Sequence, residues 1–384
     1  MTRNIQYKKL GEICNFISGG TPSKSKNEYW KNGNIPWIKI SDFKEKYIKF
    51  SEEKITKIGL ENSSAKILKK GTILYTIFAS VGKVAILDIE ATTNQAIVGI
   101  NLKEDNSIDK DFLYYFLSSI ENNIKKQARG VAQNNINISI LKNINIPILP
   151  MAFQKNIVKT LNKLENILEN FKQKKLLINF LNKSLFSRMF GDIKTNDKNW
   201  EIKKFHEIIS ILTDYHANGS YKILKDNVEL LDFKEYALMI RTTDLENNNF
   251  IQGVKYINEK AYNFLKKTKI FGGELIINKI GSAGNVYLMP YLNIPVSLGM
   301  NQFMIRFKKD YSNIFYYKLL TTEYYTNVIK SNVQGAVTKT ITKEAIKNID
   351  IIIPPIELQK KFAERIEKIE KLSFNFYWVM KKKG

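Results

Sequence analysis

The residues with which this chain could do covalent chemistry are few. His206 and His216 are its only histidines and Cys14 is its only cysteine. Isolated histidines are more often surface or core residues than bases. His206 falls opposite Gly11 in the internal repeat described below, so the repeat does not preserve it. No His, Cys and carboxylate spacing suggests zinc, and no short acidic loop suggests calcium. Gly82-Lys83 begins like a phosphate loop, but Val84 follows it and Ile77 stands five residues earlier where a glycine is required. Gly19-Gly20-Thr21-Pro22-Ser23 lacks the spacing of a dinucleotide fingerprint and reads as a polar turn. No Asn-Pro-Pro-aromatic motif is present, and no pair of carboxylates recurs in the two repeats. The expectation is no catalytic residue, no metal and no cofactor.

What remains is a set of basic and polar side chains on turns. In the first half these are Thr21, Ser23, Lys24, Lys39, Ser41, Arg129, Gln133, Asn134 and Asn135; in the second, Arg241, Thr243, Gln334, Thr338, Lys339 and Thr340. Arg, Lys, Asn and Gln can bond base edges in a major groove, while Ser and Thr bond bases or phosphates. Singly, each reads equally well as part of a solvated loop; as two matched sets they point to DNA. Charge agrees: 60 Lys and Arg stand against 37 Asp and Glu, a formal net charge of +23. A polyanionic partner follows. The chain is also rich in Lys, Asn and Ile together, as AT-rich coding produces, but that bias does not by itself suppress Asp and Glu.

These side chains must be positioned by two similar units, because the chain is a tandem duplication. Lys8-Lys9-Leu10 returns as Lys203-Lys204-Phe205, at an offset of 195. Trp37-Ile38-Lys39-Ile40-Ser41-Asp42 matches Met239-Ile240-Arg241-Thr242-Thr243-Asp244, and Ser80-Val81-Gly82-Lys83-Val84 matches Ser282-Ala283-Gly284-Asn285-Val286, both at 202. Leu141-Lys142-Asn143-Ile144-Asn145-Ile146 matches Ile346-Lys347-Asn348-Ile349-Asp350-Ile351 at 205, followed in register by Pro150 with Pro355 and Gln154 with Gln359. Collinear matches over nearly the whole unit leave duplication as the account.

Short apolar runs, Thr72–Phe78 and Leu275–Lys279, read as strands of a small mixed sheet or barrel. One amphipathic helix is expected over about 109–127 and its counterpart over about 313–331. After Pro150, Ile157, Leu161, Leu164, Leu168 and Phe171 step by four and three residues and, across a gap at Lys175, reach Ile178, a coiled-coil seam. Phe362, Ile366, Ile369 and Phe376 repeat the phase after Pro355. The first such helix, from Met151 to about Phe190, would be about 60 Å long at 1.5 Å per residue. The expected fold is therefore α+β: two similar mixed α/β domains, 1–150 and 196–355, separated by two long helices, 151–195 and 356–384, packed as an antiparallel coiled coil about a pseudo-twofold axis.

A single cysteine leaves no disulfide framework, the N-terminus has no apolar core like that of a signal peptide, and no run approaches the length of a membrane span. A cytoplasmic protein without a membrane partner is expected.

Gly19-Gly20-Thr21-Pro22-Ser23, Tyr29-Trp30, Ile35-Pro36-Trp37-Ile38-Lys39-Ile40-Ser41-Asp42, Gly130, Ile144-Asn145-Ile146-Pro147 and Phe153-Gln154, in that order and with the duplication, resemble the specificity subunit of type I restriction-modification systems. The likeness covers essentially the full chain. It implies two target-recognition domains, double-stranded DNA with a two-part target, and docking to two methyltransferase (modification) subunits and, through them, to restriction subunits. It implies no chemistry by this chain. The segment from Ser373 to Gly384 departs from the pattern, being short and aromatic where a heptad would continue, and implies weaker docking there. The competing expectation is a helical interaction scaffold that binds nucleic acid weakly or without specificity.

Overall fold

In the middle of each unit four consecutive residues are buried on both faces of a strand: Ile73–Thr76 in the first and Leu275–Asn278 in the second. Their alternation sends Ile73 and Tyr75 into one apolar cluster and Leu74 into another, as Leu275 and Ile277 part from Ile276. A strand with core on both sides favours a near-continuous apolar run, which is why the first three residues of each do not alternate with polar ones. The computed structural model describes residues 5–103, 107–129 and 135–381; the side chains of 127–129 and 372–381 lie outside that description.

The chain divides into units 1–170 and 171–384. In the first, Ile73–Thr76 is central to a five-stranded sheet in the order Cys14–Ser18, Ile97–Leu102, Ile73–Thr76, Val84–Leu87 and Tyr47–Ile48. A smaller sheet sets Ile35–Ile38 between Glu53–Ile55 and Thr92–Thr93. In the second unit the order Ile209–Asp214, Gln302–Phe307, Leu275–Asn278, Val286–Leu288 is joined by a second sheet, Lys255–Ile257, Ala237–Ile240, Val296–Leu298, Lys269–Ile270. Each unit ties its beginning to its end by a two-stranded antiparallel ribbon: Gln6–Lys9 on Asn145–Ile148, and Glu201–Lys204 on Asp350–Ile353. The residue after the ribbon repeats as well, Leu10 N donating to Ile144 O and Phe205 N to Ile349 O, both at 2.8 Å.

The single helix expected over 109–127 is two, Lys110–Ser119 and Glu121–Arg129, and its counterpart is Asn313–Leu320 and Glu323–Ser331. The break in the second unit has a local cause. The Thr322 side chain accepts the backbone N–H of Tyr325 and so caps a new helix.

The first long helix is unbroken from Met151 to Phe190, 40 residues. It stops where Gly191 takes φ +79 and Trp200 Nε1 donates to the Phe190 carbonyl at 2.9 Å. The second runs Ile356–Lys381. The beginning of each is pinned to the domain before it. In the first unit Ile157 packs against the domain core, and the Tyr115 hydroxyl donates to Glu165 at 2.7 Å. In the second unit Phe362 and Ile366 are buried with Phe186 and Phe190, the end of the first helix, and Lys318 pairs with Glu370 at 2.7 Å. Ring centroids of Phe186 and Phe190 lie 5.5 and 5.2 Å from that of Phe362.

Burial along the residues of the expected seam is uneven. Ile157 turns to its own domain, Leu161, Phe171, Ile178 and Ile369 are half-buried, and Leu164 and Leu168 remain 45% and 61% exposed. The Phe376 side chain lies outside the described residues. Among the described residues no helix is long and apolar enough to cross a membrane.

Candidate nucleic-acid interface

Thr21, Ser23 and Lys24 occupy the loop between Cys14–Ser18 and the small sheet, and Lys39 and Ser41 follow Ile35–Ile38 directly. The fold brings Lys24 and Lys39 onto one carboxylate: Glu53 lies 2.5 Å from the first ammonium and 2.9 Å from the second. Hydrogen bonds from Lys24 and then Lys39 hold the Glu53 carboxyl below its usual range. Lys24 also stands 3.4 Å above the Trp30 ring, and Trp30 meets Trp37 edge to face at 4.9 Å. The Trp37 indole in turn donates to the Gly20 carbonyl at 3.0 Å, which fixes the loop. The Thr21 hydroxyl bonds Gln95, Ser23 bonds Ser25, and Ser41 is exposed. Lys24, Trp30, Asn27 and Lys54 edge a cavity of about 480 Å³.

Arg241, the partner of Lys39 in the repeat, is spoken for. Its guanidinium bonds Asp244 at 2.7 and 3.1 Å and the Gly253 carbonyl at 2.5 Å. It braces the start of the helix Thr242–Glu246, whereas Thr243 on that helix is exposed. Gln334, Thr338, Lys339 and Thr340 share one loop, closed by paired backbone bonds between Gln334 and Thr340 at 2.8 Å. That loop lies against the turn of the hairpin Leu275–Asn278 and Val286–Leu288: Ile341 N donates to Lys279 O, and Gly281 N to Lys339 O. The hairpin turn is itself joined to the helix carrying Thr243 by the Ser282 hydroxyl, which bonds Glu246 at 2.5 Å. The second unit thus gathers three separate segments at one end of its main sheet. Gly335, at φ +101, is required in the loop because a Cβ there would lie 2.2 Å from the Thr338 carbonyl.

The first unit repeats the junction, with Ile136 N donating to Ile77 O at 3.0 Å, so Asn135 sits beside the hairpin turn that carries exposed Lys83. Gln133, Asn134 and the Arg129 side chain lie outside the described residues. Sequence reasoning missed Lys279, Lys343 and Asp214. Asp214 is nearly buried and takes Lys343 at 2.7 Å and Lys279 at 3.3 Å, tying the loop's foot to the hairpin's. Burial would raise its carboxyl, but Lys343 and Lys279 outweigh burial and hold it below its ordinary value. The signal in the sequence was the matched hairpin turn, Ser80–Val84 with Ser282–Val286, beside which Lys279 stands. Among the described residues no group of three His, Cys, Asp or Glu side chains is placed to hold a metal ion.

Each unit offers cations, amides and hydroxyls on loops held by a repeated frame, and the first adds an aromatic pair. A family model described as "Type I restriction modification DNA specificity domain" matches residues 2–179 and again 197–375. The chain belongs to this family. As a specificity subunit it is the DNA-recognising, non-catalytic component of a type I restriction-modification system, with two recognition domains in tandem. Each matched stretch takes in one domain and runs on into the long helix after it. It is similar to the type I restriction enzyme MjaIX specificity subunit of Methanocaldococcus jannaschii, 27% identical over 403 residues that cover 98% of this chain and 90% of that one. The HindI specificity subunit of Haemophilus influenzae is 32% identical over 178 residues, 44% of this chain and 38% of that one. A crystal structure of the type I system S subunit from M. genitalium shares the fold, with a TM-score of 0.63 and 18% identity over 100% of this chain and 94% of that one.

Proposed function

We propose that this specificity subunit reads a bipartite, asymmetric site in duplex DNA, one half with each domain, and directs partner subunits to it without chemistry of its own. What supports this most is that one backbone junction recurs, Ile136 on Ile77 and Ile341 on Lys279, while the side chains it displays differ. A constant frame with unlike loops suits two unlike half-sites. On this reading 1–150 and 196–355 are the reading domains, with 151–195 and 356–384 as the spacer helices, packed antiparallel. The half-sites would lie about one helical turn apart, ~10 bp. Contacts come from Thr21, Ser23, Lys24, Lys39, Ser41, Arg129, Gln133, Asn134 and Asn135 in one domain, and from Thr243, Gln334, Thr338, Lys339 and Thr340 in the other. Arg241 acts by positioning the helix that bears Thr243. Two modification subunits dock on the helical region and restriction subunits join through them, in the cytoplasm.

Selection from random duplexes with the full-length chain tests it. The expected product is two short unlike motifs separated by a fixed number of indifferent base pairs. A single uninterrupted motif, or no preference, overturns the reading. Capture of modification subunits by a chain without any site preference would favour an interaction scaffold instead.

A further inference from the structure

In the second domain a partly open pocket of about 320 Å³ lies between the hairpin turn and the loop that follows Asn332, lined by Gly281, Ser282, Asn285, Lys330, Gly335 and Lys339 among others. The cations at the feet of the hairpin and of the loop are consumed, Lys279 and Lys343 by Asp214. Lys330 and Lys339 differ, since among the described residues neither ammonium group meets a carboxylate or another acceptor. None of the residues lining the pocket is acidic, the nearest carboxylate being that of Glu246 on the lining Ser282 hydroxyl, and the glycines bring backbone to the wall in place of side chains. Two unspent positive charges on the wall of one pocket make a seat for an oxyanion.

We propose that this pocket holds a backbone phosphate of duplex DNA, gripped by Lys330 and Lys339, and so fixes the register at which loop 334–340 meets the bases. The proposal rests on the DNA-reading function above and names where the second domain takes the backbone. Lysine is a compact point charge without the planar fork that reads guanine, so its contact positions the duplex and carries little sequence information. The pocket's open side admits a phosphate that remains part of a chain. Val337 is 98% exposed on the same loop, three residues from Gln334 at its base and two from Lys339. A gripped phosphate would hold that loop against the groove.

The test is the salt dependence of DNA binding by the full chain and by Lys330→Gln/Lys339→Gln, on a selected duplex and on random duplex. Each phosphate neutralised contributes about 0.9 to the slope of log K against log [salt]. The variant's slope should be shallower by about one on both duplexes, with the selected motif unchanged. An unchanged slope overturns the proposal, and so does an altered motif with an unchanged slope. Replacing chloride by inorganic phosphate at constant ionic strength should weaken the wild type more than the variant. Uptake of inorganic phosphate by the wild type, with identical DNA slopes in both proteins, would assign the pocket to a free anion and overturn the DNA assignment. Should the double variant fail to fold, the single variants carry the same measurement, each with part of the slope change. A wild type without site preference would defeat the function proposed above but not this test, because random duplex carries the same phosphates.

Discussion

The side-chain oxygen of Gln154 accepts the backbone N–H of Asp109 at 2.8 Å, joining the first turn of the long helix to the start of a helix 45 residues earlier. The same amide donates to the carbonyls of Ser107 and Leu149 at 2.7 and 2.8 Å. In the second unit Gln359 accepts from Ser312 N at 3.0 Å and donates to Pro354 O at 2.8 Å. Both glutamines are buried, at 0% and 1% exposure, so their bonds face no competition from water. The domain-to-helix joint is therefore a repeated part.

Gln359→Ala should destabilise the second unit by about 2–4 kcal/mol, because it leaves a buried amide N–H and a carbonyl without partners. Urea unfolding followed by a signal from that unit checks it. A change within experimental error would mean that water or a neighbour takes the glutamine's place.

Phe362→Ala removes a ring that is 0% exposed and in contact with Phe186, Phe190 and Phe315. The expected cost is about 3–5 kcal/mol, the usual range for a buried phenylalanine truncated to alanine. Differential scanning calorimetry should show the transition of the second unit moving down while that of the first moves less.

Asp214 links stability to acid. Its folded carboxyl titrates below the ordinary value because Lys343 and Lys279 outweigh burial. The unfolded chain therefore takes up the proton first as pH falls. The stabilisation is fully present above the unfolded value, about pH 4, and disappears as pH drops through the folded one. The stability difference between wild type and Asp214→Asn should be constant near neutrality and shrink below about pH 4. Denaturant titrations across that range would show it, and a difference that grew in acid would contradict the sign.

Cys14 is 2% exposed, and burial pushes its thiol up to about 12. A disulfide-exchange reagent should leave it unmodified in the folded chain at pH 8 and react with one thiol after denaturation. Rapid modification of the native protein would show that the first domain opens.

Val337→Ala should leave thermal stability unchanged, since a 98% exposed side chain has almost no contacts to lose. With the loop reading bases, its effect is confined to the preference at one position of the half-site read by the second domain. A selected motif identical to the wild type's would remove Val337 from the reading surface.

Duplication, the two domains, the long helices and the want of catalytic groups were legible in the residues alone, because collinear matches such as Leu141–Ile146 with Ile346–Ile351 and heptad spacing are properties of order along the chain. Burial on both faces made Leu275–Asn278 readable as a strand from its composition. What order cannot express is which partners a folded chain brings within reach. Arg241 looked as available as Lys339, yet Asp244 holds it while Lys339, among the described residues, meets no carboxylate. Heptads likewise marked Leu164 and Leu168 as equal to Phe362, but a spacing of three and four residues names only a face of a helix. Whether that face is covered is settled by the neighbour it meets, and Phe362 meets Phe186, Phe190 and Phe315, whereas Leu168 stays 61% exposed.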